Sequence, residues 1–345
     1  TVLICPCAHE HSEKRHLSPS NRIESQNRKV DLNPISTETT SQLAYFKRHS
    51  SDLTPFCMSI SSPNPGPHVV IVGGTHGNEP GGVKAIVELH RAFGSGKVRL
   101  NQGKISFLLG NPNAYEKDIR YVDYDLNRHF NKREASSVEG RRALEIKRFL
   151  KDNDDIEALL DLHSVSIGDF RLLVYTKDDT DKIEFAMTVS AIPLHFVFHP
   201  EHMPGTLIEA ASTHGICGLI VECGNHYAAQ AVETARHHIL KFLIHHHLID
   251  DDYISPETAP AKITFYESIQ AITPHTGFRF SIKDIKTGTK LSKGQKFAAD
   301  DHGDHVAPQD CYVVVPSRVV KATDADAGFL GKRSVWEGDA LLWAR

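Results

Sequence analysis

Apolar and polar positions first organise after about residue 60. His68 to Gly73 is an unbroken apolar run closed by glycines. Such a run predicts a strand buried on both faces, as in a parallel or mixed sheet. Val83, Ile86, Val87 and Phe93 then recur at a spacing that makes one apolar face, so a helix is expected over about Gly82 to Phe93. Further buried strands are predicted at Lys104 to Gly110, Ile156 to Asp161, Leu172 to Tyr175, His195 to Phe198 and Gly218 to Cys223. Helices are expected over Ser137 to Lys151, Lys182 to Val189 and Ala228 to His246. Short apolar strands alternating with amphipathic helices predict an α/β domain.

The two ends differ from this middle. Residues 1–60 are polar, with no sustained period, and read as an N-terminal extension. Beyond Pro256, short alternating segments such as Lys262 to Tyr266 and Cys311 to Val315 stand between Gly, Asp and Lys turns. They predict a smaller β-rich C-terminal domain. The expected division is therefore an extension at 1–60, a catalytic domain at 61–255 and a β-rich domain at 256–345.

Composition narrows the classes. The chain has 345 residues, 40% hydrophobic and 24% charged, enough to bury a large core. A formal net charge of -4 and no basic block argue against a nucleic-acid partner. No apolar run is long enough to predict a membrane span, and a cytoplasmic location is the default expectation. Six scattered cysteines, Cys5 and Cys7 among them, predict reduced thiols rather than a disulfide framework.

The candidate chemistry sits at the ends of the predicted strands. The segment Gly73 to Pro80 (GGTHGNEP) turns out of the first buried strand and presents His76 and, three residues on, Glu79. Imidazole and carboxylate are both zinc donors, and the glycines let the backbone bend tightly beside a metal. A lone His-x-x-Glu pair is common by chance in solvated loops, so a third ligand is needed. His163, in Asp161-Leu-His163, supplies it, with Asp161 on the same strand face to orient a ligand histidine. Glu222 interrupts the apolar run Leu219 to Gly224; it reads as a catalytic base or, alternatively, as half of a buried salt bridge. The loop Arg120 to Arg128 (RYVDYDLNR) offers two arginines and an asparagine suited to an anionic substrate, though on composition alone it is a charged surface loop.

Together these motifs resemble the aspartoacylase and succinylglutamate desuccinylase family, relatives of the zinc carboxypeptidases, over about Val69 to Leu243 and more weakly beyond. The resemblance implies a mixed central sheet flanked by helices. It also implies one zinc ion per chain on His76, Glu79 and His163. Glu222 would be the general base, Arg120 the group that polarises the scissile carbonyl, and Asn127 with Arg128 the pair that holds the substrate's α-carboxylate. The implied reaction is hydrolysis of the amide of a small N-acyl amino acid by metal-activated water. Two residues by which aspartoacylases recognise N-acetylaspartate, an arginine about ten residues before the base and a C-terminal tyrosine, are not evident here. Arg171, His202 and Arg318 are candidates to replace them. The alternatives are a metallocarboxypeptidase acting on peptides, a catalytically inactive metal-binding homologue, and a histidine-rich metal store drawing on the 22 histidines. Self-association into a homo-oligomer is left open.

Overall fold

The computed structural model describes residues 36–51, 53–177, 186, 191–255, 260–318 and 320–337. The first 35 residues of the expected extension, with Cys5 and Cys7, lie outside the described residues, as does nearly all of the helix expected at Lys182 to Val189.

Among the described residues an eleven-stranded mixed sheet forms the centre. Third from one edge is β2 (His68–Gly73), with β3 (Lys104–Leu109) parallel on one side and β4 (Ile156–Val165) parallel on the other. All six residues of β2 are buried. Both faces are covered, which is why the strand reads as a continuous apolar run rather than an alternation. Helices α1 (Thr37–His49), α2 (Pro80–Gly94) and α6 (Gln230–His245) contribute Phe46, Ile86 and Phe242 to the core on one face. Helices α4 (Val138–Asp152) and α5 (Leu207–Ser212) contribute Ile146 and Leu207 to the core on the other. Between β3 and α4 lie the short helix α3 (Pro112–Glu116) and a single 3-10 turn at Leu126–Arg128. No helix of the described residues is long and apolar enough to cross a membrane, and Cys57, Cys223 and Cys311 are unbridged thiols.

The sheet continues past β4 through β7 (Cys217–Asn225), β5 (Arg171–Thr176) and β6 (Leu194–Phe198). It does not end there. The C-terminal strand β8 (Lys262–Ala271) pairs in parallel with β6, and β14 (Phe329–Glu337), β13 (Cys311–Val314) and β10 (Lys290–Leu291) follow antiparallel. The β-rich C-terminal part thus extends the central sheet. A separate three-stranded sheet of β9 (Arg279–Phe280), β11 (Lys296–Asp300) and β12 (Gly303–Val306) goes with a third apolar cluster that includes Phe297 and Leu291.

Residues 37–60, read from sequence as part of the polar extension, also contribute to the core. Helix α1 buries Gln42, Leu43 and Phe46, and β1 (Cys57–Ser61) pairs antiparallel with β3. Three buried positions in thirteen residues are too thin a stripe to stand out as a period.

The topology locates the site. From β2 the chain moves one way to β3, then crosses back to β4 on the opposite side of β2. Open α/β sheets bind ligands beyond the carboxyl ends of strands at such a switch point.

Candidate metal centre

His76 and Glu79 sit in the turn between β2 and α2. The turn is forced by its glycines: Gly74 has φ +69°, and a Cβ on Gly77 would lie 2.1 Å from the carbonyl carbon of Ala114. No side chain fits there. His163 lies within β4, which runs four residues further than sequence predicts because its pairing with β7 continues to Asn225. That register places Glu222 of β7 directly opposite His163.

His76, Glu79 and His163 are all buried, and their donor atoms lie within 4.8 Å of one another. Nδ1 of His76 is 2.9 Å from Glu79 Oε1, Nδ1 of His163 is 3.0 Å from Glu79 Oε2, and the two Nδ1 atoms are 3.2 Å apart. The far side of each ring meets a carboxylate: His76 Nε2 is 3.0 Å from Asp125 Oδ1, and His163 Nε2 is 2.9 Å from Asp161 Oδ2. Asp161 is fixed in turn by the Thr75 hydroxyl at 2.8 Å. A carboxylate at Nε2 assigns the proton to that nitrogen and turns the Nδ1 lone pairs inward. Two lone pairs and a carboxylate converging in a buried space need a positive charge among them. The group fits a divalent metal ion with nitrogen and oxygen donors. Burial opposes charge on His163, but the Asp161 and Glu79 carboxylates outweigh it and hold its pKa well above the ordinary histidine value. Glu79 is likewise held well below its ordinary value: burial works against its charge, and His76 and His163 overcome it.

Asp125 is a further functional candidate, absent from the residues expected from sequence. It stands in the loop Arg120 to Arg128 and receives Arg120 Nη2 at 2.8 Å and Nε at 3.2 Å as well as the His76 ring. Its own loop supplies Asn127 N–H at 2.8 Å. Nothing marks it out from Asp123 in the sequence; only its packing does. Asp125→Asn, which weakens the grip on the His76 Nε2–H, is expected to lower metal affinity about 10- to 100-fold. Competition with a chelating dye measures this, and an unchanged affinity would show that Asp125 does not orient His76.

Arg120, Asn127, Arg128 and Glu222 join the three metal-ligand candidates around one cavity of about 370 Å3. Arg120 Nη1 is 3.7 Å from Glu79 Oε1. Asn127 is buried, its Nδ2 3.4 Å from His163 Nε2 and its Oδ1 accepting Leu207 N–H at 2.8 Å. Arg128 is paired with Asp326. Glu222 Oε2 is buried with no hydrogen-bond partner, and loss of hydration raises its pKa to about 7. The salt-bridge alternative for Glu222 is not what the structure shows: no ion pair of this residue occurs among the described residues. Of the substitutes considered for the missing substrate residues, Arg318 lies at the cavity and is exposed, whereas Arg171 and His202 are not among its lining residues. His202 is turned to Ser268, its Nδ1 2.8 Å from the hydroxyl.

Comparison with known proteins agrees with this architecture. The probable aspartoacylase of Prochlorococcus marinus (strain AS9601) is 31% identical over 167 residues, which is 45% of this chain and 53% of that one. The N-acyl-aromatic-L-amino acid amidohydrolase (carboxylate-forming) of Xenopus laevis is 32% identical over 126 residues, covering 34% of this chain and 41% of that protein. The chain thus spans about half the length, or less, of these relatives. Among solved structures, succinylglutamate desuccinylase from Vibrio cholerae shares the fold with a TM-score of 0.64 at 20% identity, over 87% of this chain and 94% of that one. The family model described as the succinylglutamate desuccinylase/aspartoacylase catalytic domain matches residues 65–246, more than half of the sequence and the whole of the segment that carries the cluster. The chain belongs to the succinylglutamate desuccinylase/aspartoacylase family.

Proposed function

We propose that this chain is a zinc-dependent hydrolase that cleaves the amide bond of a small N-acyl amino acid, with His76, Glu79 and His163 as the metal ligands and Glu222 as the general base. The observation that carries the reading is the unpartnered, buried Glu222 oxygen in the same cavity as the convergent donors of the metal group. A zinc ion there would supply Lewis acidity, making a water more acidic and polarising a carbonyl.

The residues of the chain do the rest. Glu222 takes a proton from the attacking water and returns it to the amide nitrogen as the C–N bond breaks, so the acid and the amino acid leave separately. Its desolvated setting suits both steps, because a carboxylate poised near neutrality can accept and then release a proton. Arg120, held in place by Asp125, presents its guanidinium to the charge that develops on the carbonyl oxygen. Asn127 and Arg128 hold the substrate's α-carboxylate. A cavity of about 370 Å3 suits a small molecule.

The test joins metal content to chemistry. About one zinc per chain is expected by elemental analysis, lost in His163→Ala, together with amine release from a panel of N-acyl amino acids. Metal retained without His163 would remove the third ligand and the mechanism built on it. Several ions per chain would point to storage instead.

A further inference from the structure

Acidic side chains tie the loop Arg120 to Arg128 to the segment between β13 and β14. Arg128 donates from Nε to Asp326 Oδ2 at 2.9 Å and from Nη1 to the Asn127 carbonyl at 2.7 Å, and its Nη2 lies 2.7 Å from the same Asp326 oxygen. Both side chains of the pair are 12% exposed. Beside them the Tyr121 hydroxyl donates to Asp324 Oδ1 at 2.5 Å. Arg120 is committed in the same way, to Asp125. Arg120 and Arg128, the two cavity arginines that are not fully exposed, therefore each already hold a carboxylate of this chain. Among the other described cations, Arg318 and Lys321 line only exposed positions, with the Lys321 ammonium 4.6 Å over the Tyr121 ring. Much of the remaining wall is buried and apolar: Val174, Phe196, Met203, Ile220 and Phe329.

A guanidinium has five N–H bonds; here the Nε hydrogen and one on Nη1 are donated, and Nη2 stands against Asp326. The hydrogens left on the Nη atoms are enough for one incoming carboxylate but face it alongside Asp326. A second carboxylate would find no uncommitted buried cation, the Asp326 charge close by, and apolar side chains elsewhere. Discrimination of this kind comes as much from the repulsive element as from the attractive one.

We propose that Asp326 is a specificity-determining residue: by neutralising Arg128 from within the chain, it excludes substrates that carry a second carboxylate and selects N-acyl amino acids whose α-carboxylate is their only charge. This rests on the amide-hydrolase reading above. The pair N-acetylasparagine and N-acetylaspartate isolates the effect, since the two differ only by an amide in place of a carboxylate. Zinc-loaded wild type is expected to favour N-acetylasparagine by about tenfold or more in kcat/KM, and Asp326→Asn to shift the ratio about tenfold toward N-acetylaspartate, chiefly through KM. Binding of succinate and its half-amide succinamate to the metal-free chain gives a second readout, with the same shift expected in affinity. Asp326→Ser, with a melting curve, covers the case in which the asparagine variant does not fold. A wild type that prefers N-acetylaspartate, or ratios that do not move in the variants by either readout, would overturn the proposal. Hydrolysis with an unmoved ratio defeats this inference alone; absence of hydrolysis with a shifted binding ratio defeats the amide-hydrolase reading and leaves the role of Asp326 standing.

Discussion

Glu222→Gln is expected to cut turnover by about 10^2- to 10^4-fold while the bound metal stays in place. Glutamine keeps the shape of the side chain and its place opposite His163, but it cannot take a proton from water at neutral pH. The loss should therefore appear in kcat, with zinc content unchanged by elemental analysis. The pH profile sharpens the test. Burial raises the Glu222 pKa from 4.5 to about 7 in the metal-free site, and a divalent cation nearby favours the ionised form. Glu222 works as a base only when ionised, so kcat/KM should climb with rising pH along an acid limb whose midpoint lies between those two values. Burial that raises a carboxyl pKa makes the folded state bind protons more tightly than the unfolded one. The metal-free wild type should accordingly lose stability as pH rises through this window, and the glutamine variant should lose less. A glutamine variant with wild-type turnover would take Glu222 out of the mechanism.

Much of this centre is legible in the sequence because its parts break local patterns. The run His68 to Gly73 announces a strand covered on both faces, and the glycines after it announce a turn that no side chain can occupy. Glu222 is conspicuous as a charge inside an apolar strand. Asp161 and His163, two apart on one strand, are bound to share a face, and they do. What stays hidden is long-range. The pairing that sets His163 against Glu222 depends on β7 lying beside β4 rather than beside its sequence neighbour β6, and alternation of apolar residues says nothing about strand order. The C-terminal strands read as a separate domain for the same reason: their hydrogen-bonding edge, β8 on β6, leaves no mark on composition. Asp125 and Asp326 are polar residues in polar loops, and only tertiary packing distinguishes them from their neighbours. Helix α1 escapes notice because its buried stripe is thin.

Glu139→Ala is expected to destabilise the protein by about 3–5 kcal/mol and to loosen the site from a distance. Glu139 lies in the first turn of α4 and is completely buried. Its Oε1 accepts Val122 N–H at 2.7 Å and Asn111 Nδ2 at 2.9 Å; its Oε2 accepts Asp123 N–H at 3.0 Å and Tyr124 N–H at 3.2 Å. Three consecutive backbone amides thus converge on one carboxylate, an anion nest that shapes the loop from Arg120 to Arg128. Position adds to the effect, since the start of a helix favours negative charge. Alanine would leave the buried Asn111 side chain and the part-buried amides of Val122, Asp123 and Tyr124 without their acceptor, and each donor left unmet out of reach of water costs about 1–3 kcal/mol. The loop also carries Arg120, Asp125, Asn127 and Arg128, so its relaxation should weaken metal binding through the lost Asp125 contact with His76. Glu139→Gln separates shape from charge: the amide nitrogen would confront backbone N–H groups where an oxygen now accepts them, so glutamine should recover only part of the loss. Denaturant unfolding and zinc affinity, measured on both variants, test the two effects separately. An alanine variant that unfolds and binds zinc like wild type would mean that the loop holds its shape without Glu139, leaving Asn111 and the turn beside His76 as its supports.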